Sequence, residues 1–120
     1  MLVIRQHGEA WDRPFAVIYE PRSTATTGST DGIRSVTALT SGGNFAGFKI
    51  TSRLAEHTIT QLVLVQPTAD REFSDAALDL AFSGRYAVIT LDARDAVSSL
   101  YIGDGRRLRF RGHELTTSTA

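Results

Sequence analysis

Arginine is the residue type whose spacing speaks most directly of chemistry in this chain. The stretch Arg106-Arg107-Leu108-Arg109-Phe110-Arg111 alternates cationic and apolar side chains. On a strand, Arg107, Arg109 and Arg111 would share one face and Leu108 and Phe110 the other. Same-face neighbours sit roughly 6.5–7 Å apart, so the three would form a guanidinium ladder. Each guanidinium can grip a carboxylate or sulfate through two parallel hydrogen bonds, and an anionic polysaccharide is the partner such a row fits. The competing role is an ordinary edge strand whose charges discourage edge-to-edge pairing. Seven acids and three arginines fall between Asp70 and Asp104, so the row also has counter-charges in its own chain. Trp11, the single tryptophan, offers either a stacking surface for a sugar ring or a plug for the core.

Other routes to chemistry are poorly supplied. There is no G-x-S-x-G elbow, no H-E-x-x-H pair and no phosphate-cradling G-x-x-x-x-G-K-[ST] loop. Gly103-Asp104-Gly105 lacks the third glycine and the following helix of a dinucleotide site. His7, His57 and His113 stand far apart, which predicts surface or hydrogen-bonded histidines, no metal site and no cofactor. Asp70, Glu72, Asp75, Asp79 and Asp92 could supply the paired carboxylates of glycoside hydrolysis. Strand alternation would send neighbouring acids to opposite faces, so a solvated acidic edge is the expectation.

Composition bounds the remaining possibilities. The chain has 120 residues, 13 basic and 13 acidic side chains, 42% hydrophobic residues and no cysteine. That length suits one domain over residues 1–120, since two halves would each bury too little. Without cysteine, disulfides and thiolate metal sites are excluded. A neutral total argues against nucleic acid as partner, because binding it requires a surplus of cations to displace counterions. No apolar run approaches a membrane-spanning length; the longest, Leu62 to Val65, is a strand's worth. Met1 to His7 lacks the basic and apolar regions of a signal peptide and therefore assigns no compartment.

The elements that must position these residues read as strands. Period-two or β-branched runs occur at Phe15–Tyr19, Ile33–Leu39, Phe45–Thr51, His57–Gln66, Tyr86–Leu91, Val97–Ile102 and Leu108–Phe110. Residues 22–30 are Ser/Thr-rich and read as a mobile loop, and 116–120 as a frayed tail. Ser74 to Phe82 allows at most one short helical turn, with Ser74 as its cap. Gly103-Asp104-Gly105 is expected to turn the last hairpin. About eight or nine short strands with closely spaced turns predict an all-β antiparallel two-layer sandwich, jelly-roll-like.

Several of these segments carry a family likeness. Glu9-Ala-Trp11-Asp-Arg-Pro14-Phe15-Ala-Val-Ile-Tyr19-Glu20-Pro21 followed by Ile33-Arg-Ser-Val36 resembles the opening of the C-terminal β-domain of heparinase II/III-like polysaccharide lyases. Phe82-Ser-Gly84-Arg85-Tyr86-Ala-Val88 and Leu100-Tyr-Ile-Gly103-Asp104-Gly105 are similar to that domain's later strands and last hairpin. Those lyases cleave acidic polysaccharides by β-elimination, with Tyr and His residues from a helical toroid and the adjoining sheet. The resemblance implies the trailing sheet domain without the toroid, and none of the catalytic positions transfers. Tyr19, Tyr86 and Tyr101 lie in strand patterns and are expected to be structural.

The expected function is thus a non-catalytic accessory domain that packs on a catalytic partner or touches an anionic glycan. If the resemblance holds, its setting is periplasmic or secreted. Two other readings remain open. One is a stand-alone enzyme or small-molecule binder with a pocket lined by His57, Thr60 or Tyr86. The other is a structural module that pairs with its own copies through an exposed strand edge.

Overall fold

The computed structural model describes residues 17–20, 31–41 and 43–118. They contain seven strands and no helix: β1 (Gly32–Ser41), β2 (Asn44–Leu54), β3 (His57–Val65), β4 (Glu72–Asp75), β5 (Leu80–Leu91), β6 (Val97–Phe110) and β7 (His113–Thr116). All pair antiparallel in one sheet of order β1-β2-β3-β5-β6-β7, with β4 also on β5. The all-β antiparallel expectation is met, and the arrangement is consistent with a β-sandwich.

Two long strands do the work of four. The first part of β5 pairs with β4 through Phe73↔Phe82, and its second part pairs with β3 through Leu62↔Ile89. β6 runs beside both parts, from Leu91↔Val97 to Leu80↔Phe110. Leu80, Phe82, Phe73, Leu108 and Phe110 join Leu62, Leu64, Ile89 and Leu91 in a single buried cluster. β1 touches β4 although they are not neighbours along the sheet, so the sheet folds back over its own core.

The fold-back occurs where register slips. Pairing between β5 and β6 shifts at Ser83/Gly84, Gly84/Tyr86 and Tyr86/Ala87. Buried positions on β5 are accordingly 80, 82 and 84 before the irregularity and 87, 89 and 91 after it. An extra residue thus exchanges odd for even and keeps one continuous face turned to the core. Gly84 and Gly105 lie in contact here: a Cβ on Gly84 would stand 2.5 Å from the Gly105 Cα. Buried Gln66 closes the other side, its Nε2 donating to Arg71 O at 3.0 Å and Gly84 O at 2.9 Å.

Several local expectations are corrected. Residues 74–82 hold no helical turn but the end of β4, a tight turn and the start of β5. Asp75 Oδ1 accepts the Ala77 and Leu78 amides, and Asp79 has φ 51°, which closes a hairpin instead of opening a helix. Gly103-Asp104-Gly105 is no hairpin: it lies inside the 14-residue β6. Its glycines serve close packing, and the chain reverses instead at Arg111-Gly112, where both φ values are positive. Residues 17–19, the described part of the expected strand at 15–19, are not in a strand, and Val17 and Tyr19 are exposed. Thr116 belongs to β7, and Thr117 is held through Thr117 N to Arg106 O and Thr117 Oγ1 to Gly105 O, so the tail is anchored that far. Among the described residues the strands number seven, and five of them run for nine residues or more. The loop at 22–30 lies outside the described residues.

Gly105→Ala is expected to destabilise the domain by at least about 1 kcal/mol, since its Cβ meets backbone that cannot retreat. Gln66→Ala should cost about 1–3 kcal/mol by leaving buried carbonyls unsatisfied. Chemical unfolding with unchanged slope would measure both.

Candidate functional site

β6 alternates as its sequence suggests over Arg107 to Phe110, with Leu108 and Phe110 buried and Arg107 and Arg109 exposed. β7 lies alongside, with Leu108 opposite Leu115 and Arg109 opposite Glu114. Arg111 is past the strand end, in the turn with φ 49°, and its guanidinium carbon sits 4.9 Å from the centre of the Phe110 ring. The three cations therefore do not form one even ladder.

Their charges are met inside the chain. Arg107 Nε lies 2.9 Å from Glu114 Oε1, Arg109 Nη2 3.7 Å from Asp79 Oδ1 and Arg111 Nη2 3.2 Å from Asp95 Oδ2. Arg111 Nη1 also donates to Asp95 O at 2.6 Å. The pattern extends to Arg106 with Asp70 and Arg85 with Asp104. Asp70, Asp79, Asp95 and Asp104 come from the acidic segment, which explains why acids and arginines cluster in succession. These pairs are solvent-exposed and contribute little each. Trp11 lies outside the described residues.

The residues of the pocket reading are not brought together. Thr60 opposes buried Leu91 on the core side of the sheet, whereas Tyr86, opposite Val65, lies on the other side. His57 stands eight residues before Val65, roughly 26 Å along the strand. His57 instead borders an open hollow of about 340 Å³ with Ile59, Thr90, Leu91, Asp92, Ala93 and Ser98. Among the described residues no group of His, Asp or Glu side chains is arranged to hold a metal ion. At the hollow's rim, Asp92 Oδ1 accepts the amides of Ala96 and Arg94 at 3.0 and 2.8 Å. Those two bonds, the Ala96 one foremost, hold its carboxyl below the ordinary carboxylate range.

The most distinctive surface is the face of the sheet turned away from the core. Register places Ala38, Phe48, Val63, Val88 and Tyr101 in one row across five strands. Val36 and Ile50 flank the row on one side, and Val65 and Tyr86 on the other. The Tyr86 and Tyr101 rings meet edge to face at 6.3 Å, and Phe45 and Phe48 do so at 5.3 Å. Val36, Leu54, Val65, Tyr86 and Tyr101 are the exposed large hydrophobic residues within the described strands, and by register all five lie on this face. Arginine spacing gave no hint of it. The available signal was Leu62-Val63-Leu64-Val65, because an unbroken apolar run makes both faces of a strand apolar.

A family model described as the endo-acting ulvan lyase C-terminal domain matches residues 33–120. An endo-acting ulvan lyase from Formosa agariphila is 30% identical over 120 residues, covering all of this chain and 14% of that protein. The chain thus spans a small part of the curated relative it matches. No solved structure matches it.

The Asp92 turn has a definite pH signature. A depressed folded-state pKa contributes stability above the unfolded value and loses it as pH falls through the folded one. Asp92→Asn keeps an acceptor but cannot titrate, so its thermal stability should fall less steeply with acidification than that of the parent. Thermal unfolding scans from neutral to strongly acidic pH check this.

Proposed function

Because the chain belongs to the family of endo-acting ulvan lyase C-terminal domains, we propose that it is a non-catalytic accessory domain packed, through its apolar outer sheet face, on the rest of a lyase. The observation that carries this reading is the collection of exposed Val36, Leu54, Val65, Tyr86 and Tyr101 on one face. Monomeric proteins rarely leave a contiguous apolar patch of more than a few hundred Å² open to water, and such a patch marks an interaction surface. The occupant is the remaining lyase polypeptide, since this domain corresponds to 14% of its relative's length. Aromatic rings at the centre of the patch supply large contact area for little lost side-chain freedom.

In this reading the parent enzyme cleaves ulvan, the polymer named for the relative, in the periplasm or outside the cell, where a polysaccharide can reach it. Chemistry belongs to the parts of the enzyme that this chain does not supply. The likeness of the segments around Tyr19, Tyr86 and Gly103 to heparinase II/III-like lyases extends the kinship to that broader group.

Two measurements test the proposal. The 120-residue chain mixed with ulvan should produce no absorbance of unsaturated uronate, and eliminase activity from it would overturn the non-catalytic assignment. In a full-length lyase carrying this domain, Val65→Lys with Tyr101→Lys should accelerate limited proteolysis at the domain junction several-fold. The isolated variant should melt as the parent does. Unchanged protease resistance, or a mass that rises with concentration and falls back in the same variant, would assign the face to something else; the second outcome would indicate self-association.

A further inference from the structure

On the opposite side of β1, β2 and β3 the core runs out before the strands do. Leu39, Gly47 and Leu64 are buried there and oppose one another, but the next positions along β1 and β2 are polar. Lys49 opposes Thr37 on β1 and buried Leu62 on β3, Thr51 opposes Ser35 and Thr60, and Arg53 opposes Gly32 and Thr58. The result is a field of hydroxyl groups with a cation toward each end. Lys49 and Arg53 are about 13 Å apart along β2, a spacing suited to two acid groups on sugar units that are not adjacent. No carboxylate side chain occupies these register positions; the nearest acids lie at the Arg53 end, where Glu20 accepts the Ile33 amide and Asp31 precedes Gly32.

These two cations differ from those of the hairpin. Arg85, Arg106, Arg107, Arg109 and Arg111 each have a carboxylate within 4 Å. Lys49 and Arg53 have no ion pair or side-chain hydrogen bond among the described residues. Binding an anion at the hairpin means displacing an existing partner, whereas binding one at Lys49 or Arg53 breaks no ion pair among the described residues.

We propose that the Lys49–Arg53 face of β1–β3 binds a stretch of polyanionic polysaccharide bearing spaced carboxylate or sulfate groups. The proposal takes its ligand class from the accessory-domain reading, but uses the opposite side of the sheet from the docking face. Arg53 can hold an oxyanion by its planar fork and Lys49 by a point charge. Between them, Ser35, Thr37, Thr51, Thr58 and Thr60 both donate and accept, which matches the hydroxyls of a sugar ring. Their threonines have stiff χ1 angles, so little side-chain freedom is lost on binding. Two cations in a neutral chain are too sparse for nucleic acid, whose phosphates recur at every nucleotide.

Affinity electrophoresis of the 120-residue chain in gels containing ulvan, heparin or neutral dextran provides the test. The expected result is retardation by ulvan that weakens with added salt, and none by dextran. Heparin retardation would mean that the site reads charge spacing loosely, and its absence that the site is selective for ulvan; both fit. Lys49→Glu with Arg53→Glu should weaken ulvan binding roughly ten-fold, as the loss of two exposed ionic contacts implies. Thr37→Val with Thr51→Val, which keeps shape and charge, should weaken it measurably without altering the salt dependence. Replacing Arg107, Arg109 and Arg111 by Ala should leave most binding intact. An unretarded parent chain would overturn the proposal, as would unchanged retardation of the Lys49/Arg53 variant or loss confined to the hairpin variant. None of these results depends on domain docking, which the proteolysis of Val65 and Tyr101 variants reports separately.

Discussion

The close approach of β5 and β6 at Gly84 and Gly105 is the constraint on which the rest of the fold depends. With any side chain at either position the two backbones could not meet. Their contact lets the longest pair of strands bend while remaining paired, and the register slip keeps the same face inward on both sides of the bend. Gln66 completes the junction: its amide ties Gly84 O to Arg71 O, and its backbone N donates to Arg85 O at 2.8 Å. That joins the exit of β3 and the entry of β4 to the same bend. Without it, Phe73, Phe82 and Phe110 would have no opposing layer to pack on.

Folding the sheet over itself divides its surfaces into three environments. The inside is apolar and closed, with seven large side chains essentially inaccessible to water. The outer face is apolar and open, from Ala38 across to Tyr101. Beyond the reach of the fold-back, the core side of β1–β3 turns polar around Thr51 and Arg53, with Lys49 at the border beside buried Leu62. A small domain thereby presents two unlike surfaces back to back, one apolar and one polar.

Arginine chemistry is the clearest case of a sequence signal whose meaning depends on distant residues. Alternation in Arg107–Phe110 states which side chains enter the core, and the buried Leu108 and Phe110 bear this out. Nothing in the alternation reveals that Glu114, Asp79 and Asp95 lie beside the cations. Lys49 and Arg53 were inconspicuous by comparison, being isolated among threonines and serines. Their lack of acid partners is a property of the register of three strands. The outer face was half legible in Leu62–Val65, where two apolar sets alternate. Which set would be covered could not be known from one strand.

Period-two patterning and turn chemistry were enough by themselves to determine the all-β class, most strand positions and the inward Leu108 and Phe110, since these follow from local geometry. The likeness to a polysaccharide-lyase C-terminal domain was also legible, because it rests on contiguous residues. Glycine was misleading when read locally. Gly103-Asp104-Gly105 has the composition of a turn, yet it lies inside β6 because Gly84 and Tyr86 of the neighbouring strand require space there. Asp75 and Asp79 close a hairpin over residues that could have begun a helix, because Phe73, Leu80 and Phe82 must reach one core. Tertiary structure alone decided which apolar face stayed exposed and which cations stayed unpaired. Both depend on where the sheet turns back, and that is set by contacts between strands far apart in the chain.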